Sequence, residues 1–305
     1  MNLGESQLSV SNLHTLWYRV SGNTEGKKII LCNGGPGGES KDSHLEVYDL
    51  TKVCIIQFDQ RGCGKSTPRG ELTENSTDTI IQDIENLRRH LEIDTWFVAG
   101  SSWGSTLALL YAQAYPQRVK GLLLSSIFLA RKQDLEWLET GVTQFFPELV
   151  DYRNDLLSQW GCAGQDWTTL ANTWIQSDDE EYQRKSLALY SSWEGNFYQL
   201  ESRMKQVHTE DVDLDQVSGS RIYHHYLSHR FFLSAYSILD KCQALEDIPT
   251  VMLHGRYDMI CPPEQAYQLH KLLPSSRLEI TNFDGHKFSA ETRRLQRYLW
   301  NSLLL

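Results

Sequence analysis

Short apolar runs alternate with longer amphipathic runs along most of this chain. Apolar runs bounded by glycine, proline or polar residues are typical of buried strands, and they occur at residues 16–20, 28–32, 53–58, 95–99, 121–125, 250–253 and 277–280. Between them, apolar residues three or four positions apart predict helices, the clearest of which is capped by Ser76-Thr77-Asp78. This alternation predicts an α/β fold, a mostly parallel sheet with helices on both faces.

The pattern changes between residues 131 and 240. Strand-like runs disappear there, and helical patterns rich in aromatic residues replace them, with five of the nine tryptophans of the chain. We therefore predict a helical cap at 131–240, inserted into an α/β core of 1–130 and 241–305. A second, independent domain is the alternative. The segment holds 18 acidic and nine basic side chains, so it carries most of the formal net charge of −10.

The strongest local motif is Gly100-Ser101-Ser102-Trp103-Gly104, which joins an apolar strand to an apolar helix. Glycine is favoured two residues before and two after the serine, because a Cβ atom at either position would collide with the neighbouring backbone. The turn lifts the serine into solvent at the end of the strand. We predict that Ser102 is a nucleophile, the alternative being an ordinary strand-to-helix turn.

A serine hydroxyl needs a base to take its proton, and the base needs an orienting carboxylate. Asp258 follows the penultimate predicted strand and His286 follows the last one. The carboxyl ends of parallel strands meet at one edge of the sheet, so both residues are expected beside Ser102. The order Ser, Asp, His is that of an α/β-hydrolase fold. Asp284 is a weaker candidate for the acid, because it stands only two residues from His286.

Acyl transfer also needs two backbone N–H donors for the developing oxyanion. Trp103, directly after the nucleophile, is predicted to supply one donor. Gly35, in the glycine-rich turn after the second strand, is predicted to supply the other. Asp59 and Arg61 end the next strand, and we interpret them as a charged pair that braces this turn.

Composition excludes several other classes of protein. No stretch of about 18 apolar residues predicts a membrane helix, and no signal peptide is evident at the N-terminus. No basic run favours nucleic acid. The six cysteines have no pairing or metal-ligand spacing, which indicates free thiols in the cytoplasm. His224, His225 and His229 lack a third-ligand pattern, so neither a metal site nor a cofactor is predicted.

The chain resembles the prolyl aminopeptidases, also called proline iminopeptidases, of the α/β-hydrolase superfamily. The resemblance is densest in residues 34–38 (GGPGG), 58–66 (FDQRGCGKS), 100–109 (GSSWGSTLAL) and 255–258 (GRYD). It implies release of an N-terminal residue, usually proline, from small peptides by serine acyl transfer without a metal or cofactor. It also implies that Glu194, in a Trp-Glu pair, binds the free amine of the substrate.

Two positions depart from the family pattern. Asn33 stands where the family usually has a histidine before the glycine-rich turn, and we expect it to support that turn by hydrogen bonding. Tyr223 stands where the family has a second amine-binding glutamate. An esterase, lactonase or amidase whose small acyl substrate has no free amine is therefore the alternative function. A binding protein without catalytic activity is a third hypothesis, which the intact Ser, Asp and His disfavour.

Overall fold

The computed structural model describes residues 2–199, 204–233 and 238–304. Its centre is a sheet of eight strands: β1 (Asn2–Ser9), β2 (Thr15–Gly22), β3 (Lys27–Cys32), β4 (Val53–Phe58), β5 (Trp96–Ser102), β6 (Val119–Ile127), β7 (Thr250–Gly255) and β8 (Ser276–Thr281). Their spatial order is β1-β2-β4-β3-β5-β6-β7-β8. β2 pairs antiparallel with β1 and β4, and every other pairing is parallel. The predicted mostly parallel sheet is confirmed.

Helices cover both faces of the sheet. The nine α-helices of the described residues are α1 (Thr77–His90), α2 (Trp103–Ala114), α3 (Lys132–Glu139), α4 (Pro147–Gln159), α5 (Trp167–Gln176), α6 (Glu180–Tyr198), α7 (Val217–Ser228), α8 (Glu264–Leu272) and α9 (Ala290–Leu304). α1, α2 and α8 share one apolar core with the sheet, and α9 packs on the opposite face. Because both faces are covered, strands such as β4 are buried along their whole length.

The described residues between β6 and β7 contain helices α3 to α7 and no strand. α4, α5 and α6 bury an aromatic core of their own that includes Trp167, Trp174 and Trp193. α7 is fixed to the rest of the molecule at Tyr226, whose hydroxyl donates to the side chain of Asn75 at 2.9 Å. α7 therefore joins the helical segment to the residues that precede α1.

β1 has no counterpart among the predicted strands. It is an edge strand that pairs only with β2, and its described side chains are mostly exposed and polar. An apolar pattern therefore cannot reveal it. The helix after the nucleophile begins at Trp103, immediately after the strand. Among the described residues, none of the helices combines the length and apolar character that a membrane crossing requires.

Candidate active site

Ser102 lies at the junction of β5 and α2, in a strained backbone conformation with φ +56° and ψ −130°. A non-glycine residue rarely adopts a positive φ, so neighbouring contacts must hold this turn in place. Both flanking positions must be glycine because the neighbouring backbone leaves no room for a Cβ atom. A Cβ atom on Gly100 would strike the carbonyl of Gly104, and one on Gly104 would strike the carbonyl of Cys32. The sharp turn predicted from the glycine spacing is present.

His286 and Asp258 form a direct hydrogen-bonded pair. The Nδ1 atom of His286 lies 2.8 Å from one carboxylate oxygen of Asp258 and 3.0 Å from the other. The carboxylate also accepts from the backbone N–H groups of Ile260 and Cys261, at 3.0 and 2.8 Å. Burial alone would raise the pKa of Asp258, but the charge and hydrogen bond of His286 outweigh it and hold this pKa below its usual value. The carboxylate therefore stays ionised and fixes Nδ1 as the protonated nitrogen.

Cys261 is a further residue at this site, although in the sequence it is marked only as one of six free thiols. Its sulfur lies within 4.8 Å of the ligating atoms of both Asp258 and His286. Burial raises the pKa of this thiol well above its usual value, the charge of Asp258 adds to the rise, and the side chain of Ser102 opposes it only in part. The thiol is thus a neutral neighbour of Ser102. Its position three residues after Asp258, on the same turn, was the only available signal in the sequence.

Hydrogen bonds from the side chain of Asn33 hold the glycine-rich turn after β3. The side-chain nitrogen of Asn33 donates to the hydroxyl of Ser40 and to the carbonyl of Phe58, both at 2.9 Å. Gly35 and Gly37 adopt φ values of +117° and +91°, which favour glycine. The expectation that Asn33 supports this turn is confirmed.

Trp103 supplies the first backbone N–H of α2, while its side chain is buried beneath the site. The indole nitrogen donates to the side chain of Gln60 at 3.0 Å, and Gln60 in turn donates to the carbonyl of Asn33 at 2.9 Å. This chain of hydrogen bonds connects the start of α2 to the glycine-rich turn. The two predicted oxyanion donors therefore rest on one buried network.

Asp59 and Arg61 do not pair with each other, so their interpretation as a charged pair is wrong. Asp59 accepts from the backbone N–H of Ser40 at 2.7 Å and so does brace the turn after β3. Arg61 points elsewhere and makes two hydrogen bonds to the buried carboxylate of Asp83, at 2.6 and 2.8 Å. A bidentate carboxylate satisfies the planar guanidinium better than Asp59, which is already engaged with backbone N–H groups.

Glu194 of α6 and Tyr223 of α7 are in contact, which the sequence could not predict. The hydroxyl of Tyr223 donates a hydrogen bond to the carboxylate of Glu194. Burial raises the pKa of Glu194 above its usual value, while the bond from Tyr223 and the charge of His286 oppose this rise. Burial also raises the pKa of Tyr223 well above the ordinary phenol value. Tyr223 therefore remains a neutral donor, and Glu194 is the acidic group of this contact.

These residues surround one cavity of about 1330 Å³. Its lining includes Gly35, Ser102, Cys261, His286, Glu194 and Tyr223. Asp258 and the Trp103 side chain are buried behind this lining. The cavity thus presents a serine hydroxyl, an imidazole and a carboxylate, and its volume accommodates a small peptide.

The three histidines of α7 and its end do not converge on a common point. His224 is buried with its ring centroid 4.2 Å from that of Tyr190, and burial lowers its pKa to about 3. His225 contacts the carbonyl of Asn75 at 2.8 Å, and His229 contacts the carbonyl of His225 at 2.8 Å. The rings of His225 and His229 pack against each other, with centroids 4.7 Å apart, and both contact Phe232, while His224 lies against Tyr190.

Comparison with known proteins agrees with the fold. The family model of the alpha/beta hydrolase fold matches residues 27–291. A crystal structure of proline iminopeptidase from Mycobacterium smegmatis superposes with a TM-score of 0.67, covering 99% of each chain at 17% sequence identity. At that identity the likeness concerns the fold alone. The chain is thus an α/β hydrolase.

Two curated relatives narrow the family. A probable proline iminopeptidase of Leptolyngbya boryana is 39% identical over 292 residues, which cover 92% of this chain and 87% of the relative. A proline iminopeptidase of Arabidopsis thaliana is 37% identical over 281 residues, covering 92% of this chain and 74% of the relative. This chain belongs to the proline iminopeptidase family, and the resemblance seen in its motifs is confirmed.

Proposed function

We propose that this protein releases an N-terminal residue, preferably proline, from small peptides through an acyl-enzyme formed on Ser102. One observation carries the proposal. His286, hydrogen-bonded to the buried Asp258, lines the same cavity as Ser102, and the carboxylate of Glu194 lines this cavity too. The cavity therefore offers a nucleophile with its base together with a group that attracts an ammonium.

Acyl transfer would proceed in two halves. The Nε2 atom of His286 takes the proton of Ser102 as the hydroxyl oxygen attacks the carbonyl carbon of the first residue. Asp258 stabilises the imidazolium that results. His286 then gives the proton to the nitrogen of the leaving peptide, and the C–N bond breaks. In the second half His286 takes a proton from a water molecule as the water oxygen attacks the ester carbon. The bond from that carbon to Ser102 then breaks, and His286 returns the proton to the serine oxygen.

The negative oxygen of each tetrahedral intermediate would accept hydrogen bonds from the backbone N–H groups of Trp103 and Gly35. The Trp103 group belongs to the first turn of α2, where unpaired N–H groups and the helix dipole favour negative charge. The network through Gln60 and Asn33 supports both donors. Preorganised donors of this kind need no rearrangement during the reaction. Each proton is moved by a side chain of this protein, so the mechanism as written requires no cofactor.

Substrate selection would come from the helical segment. We assign residues 131–240 as a cap on a core of 1–130 and 241–305, supported by the cavity-lining positions of α6 and α7. Glu194 would bind the free α-amine, with Tyr223 beside it. This arrangement favours a small peptide over nucleic acid or membrane lipid as partner. The six free cysteines are compatible with a cytoplasmic location.

Hydrolysis of proline β-naphthylamide tests the reaction. Ser102→Ala should reduce kcat by a factor on the order of 10⁶, because the nucleophile and its base act as a unit. It should also abolish covalent labelling by a fluorophosphonate probe. Retained hydrolysis in the Ser102→Ala protein would eliminate this mechanism, and unlabelled wild-type protein would favour a binding protein without catalysis.

An esterase, lactonase or amidase acting without a free amine is the second candidate. It is favoured by Tyr223, because a neutral phenol adds no charge that could bind an ammonium. Glu194→Gln separates the two. If the amine is bound there, kcat/KM for proline β-naphthylamide should fall roughly 10- to 100-fold, as for a lost hydrogen bond to a charged group.

Two controls accompany that variant. Hydrolysis of p-nitrophenyl acetate, which has no amine, should be unchanged by Glu194→Gln at a pH above the acidic limb, where loss of the Glu194 charge no longer alters the protonation of His286. Glu181→Gln, on the exposed part of the same helix where Glu181 pairs with Lys185, should affect neither substrate. Equal losses on both substrates would contradict amine binding by Glu194 and support the second candidate.

A further inference from the structure

A second histidine lies behind the acid of the site and has no role in the mechanism above. His254, on β7, is completely buried and lies four residues before Asp258. Its Nδ1 atom is 3.1 Å from the backbone N–H of Ile127 and must accept that hydrogen bond. The ring proton is therefore on Nε2.

The Nε2–H group of His254 points into the turn that carries Asp258. It donates to the carbonyl of Cys261 at 2.7 Å and lies 3.5 Å from Oδ2 of the Asp258 carboxylate. That oxygen is the one that contacts His286 at 2.8 Å. The Asp258 carboxylate thus lies between two imidazole rings, one in the cavity and one in the core.

The turn from Asp258 to Cys261 is closed by two opposed contacts. The backbone N–H of Cys261 donates to the Asp258 carboxylate at 2.8 Å, while the carbonyl of Cys261 accepts from His254. Without His254 this buried carbonyl would lose its partner, and the turn would have to shift to recover one. The direction of the Asp258 carboxylate depends on the same turn.

We propose that His254 is a positioning residue for Asp258: its Nε2–H group fixes the turn of residues 258–261 and so aims the carboxylate at His286. The inference rests on the proposed function, in which Asp258 orients the base. His254 does not line the cavity, so it acts through Asp258 and not on the substrate. Burial lowers the pKa of His254 below its usual value, which keeps the ring neutral and both of its hydrogen bonds intact.

Loss of this N–H group would also change the charge felt by His286. Its dipole points towards the Asp258 carboxylate, and removal of that dipole leaves the carboxylate more negative. A more negative carboxylate holds a proton on His286 more tightly. A purely electrostatic role of His254 would therefore move the acidic limb of the rate profile to higher pH. A positioning role has the opposite sign: a carboxylate turned away from His286 stabilises the imidazolium less, and the limb moves to lower pH by roughly half to one pH unit for one weakened hydrogen bond.

Other ionisable groups surround Asp258 and His286. Substitution of His254 leaves these groups in place. Glu194 of α6 acts on His286 through its charge, and the ring of Tyr198 lies 5.6 Å from that of His286. Asp134 of α3 acts on the thiol of Cys261. A shift confined to one His254 variant therefore cannot come from these groups.

Two substitutions test the hydrogen bonds of the two His254 nitrogens one at a time. In His254→Gln the amide NH₂ reaches the position of Nε2 and can donate to Cys261, but the acceptor for Ile127 is lost. In His254→Asn the amide oxygen replaces Nδ1 and keeps the bond from Ile127, but the donor to Cys261 is lost. Both variants remove the ring, so the loss of packing is shared. Thermal unfolding of each sets a temperature at which both are folded.

We expect kcat of His254→Asn to fall roughly 10- to 100-fold, as for a lost partner of a functional side chain, with KM little changed. Its acidic limb should move to lower pH, while His254→Gln should keep the wild-type limb and most of the rate. Equal losses in both variants, an unchanged rate in His254→Asn, or a limb that stays or moves to higher pH would overturn the proposal.

The pH dependence of fluorophosphonate labelling keeps this test separate from that of the proposed function. Labelling of Ser102 requires His286 as a base but no free amine on the reagent. If the wild-type protein does not hydrolyse proline β-naphthylamide, the proposed function fails. The labelling rates of the two variants still decide the role of His254, with the same direction expected for the acidic limb.

Discussion

The hydroxyl of Tyr223 donates a hydrogen bond to the carboxylate of Glu194, joining α7 to α6 at the cavity wall. Burial raises the pKa of Glu194, and this bond opposes the rise because it stabilises the ionised form. On the proposed mechanism Glu194 binds an ammonium only when ionised. Tyr223 therefore adjusts the pH range over which an amine is bound, although it adds no charge.

Tyr223→Phe should narrow the pH range over which Glu194 binds an amine. Loss of the donor raises the pKa of Glu194 further, so at a given acidic pH less of the carboxylate is ionised. The ratio of kcat/KM for proline β-naphthylamide to that for p-nitrophenyl acetate should start to fall at a pH higher by roughly half to one unit. Protonation of His286 affects both substrates and cancels in the ratio. An identical pH dependence of this ratio in the two proteins would contradict the prediction.

The three predicted catalytic residues could be found from sequence for two reasons. One is a local glycine pattern, and the other is the rule that parallel strands end at the same edge of the sheet. Ser102 is marked by glycines whose absence of Cβ the turn requires, and this requirement is visible in the sequence. Asp258 and His286 are marked by their positions after buried strands, because parallel strands present their carboxyl ends at one edge. The structure brings this predicted acid and base within 2.8 Å of each other.

The contacts that could not be predicted depend on which partner is close enough in three dimensions. Arg61 has several carboxylates within its reach along the sequence, and only the packing of α1 selects Asp83. Glu194 and Tyr223 meet because α6 and α7 pack side by side across 29 residues of chain. Neither contact is indicated by the periodicity or the composition of the sequence, because each depends on tertiary packing.

Gly219→Ala should disturb the contact between α7 and the glycine-rich turn. Gly219 lies against Gly37, and a Cβ atom at 219 would be 2.8 Å from the Gly37 carbonyl oxygen, with backbone on both sides. The helix or the turn that carries Gly35 must then shift. We expect a lower unfolding temperature and a lower kcat on both the amide and the ester, since the proposed mechanism uses the same oxyanion donors for both.

Gly195→Ala is the matched control for stability. Gly195 also lies within a helix, but a Cβ atom there would meet nothing within 4 Å. Alanine should therefore raise the free energy of unfolding by roughly 0.5–1 kcal/mol through helix propensity alone. If Gly219→Ala stabilises the protein as much as Gly195→Ala does, the proposed constraint at Gly219 is wrong.

Arg61→Met should be strongly destabilising, because it leaves the carboxylate of Asp83 buried without its partner. Arg61 and Asp83 have side-chain exposures of only 5% and 1%. Breaking a buried ion pair by removing one partner costs about 3–5 kcal/mol. Replacing both residues in Arg61→Met/Asp83→Leu should recover much of this loss, as measured by urea unfolding. Lys132→Met, which breaks the exposed pair with Glu136, should have a far smaller effect.

Asp258→Asn should remove most of the activity while the protein stays folded. The asparagine side chain can keep the hydrogen bonds from the N–H groups of Ile260 and Cys261 through its oxygen. Its NH₂ group then faces Nδ1 of His286 and forces that nitrogen to accept, which places the ring proton on Nε2. A protonated Nε2 cannot take the proton of Ser102, so kcat should fall by a factor on the order of 10⁴. Fluorophosphonate labelling should slow in parallel, and labelling at the wild-type rate would show that Asp258 does not set the tautomer of His286.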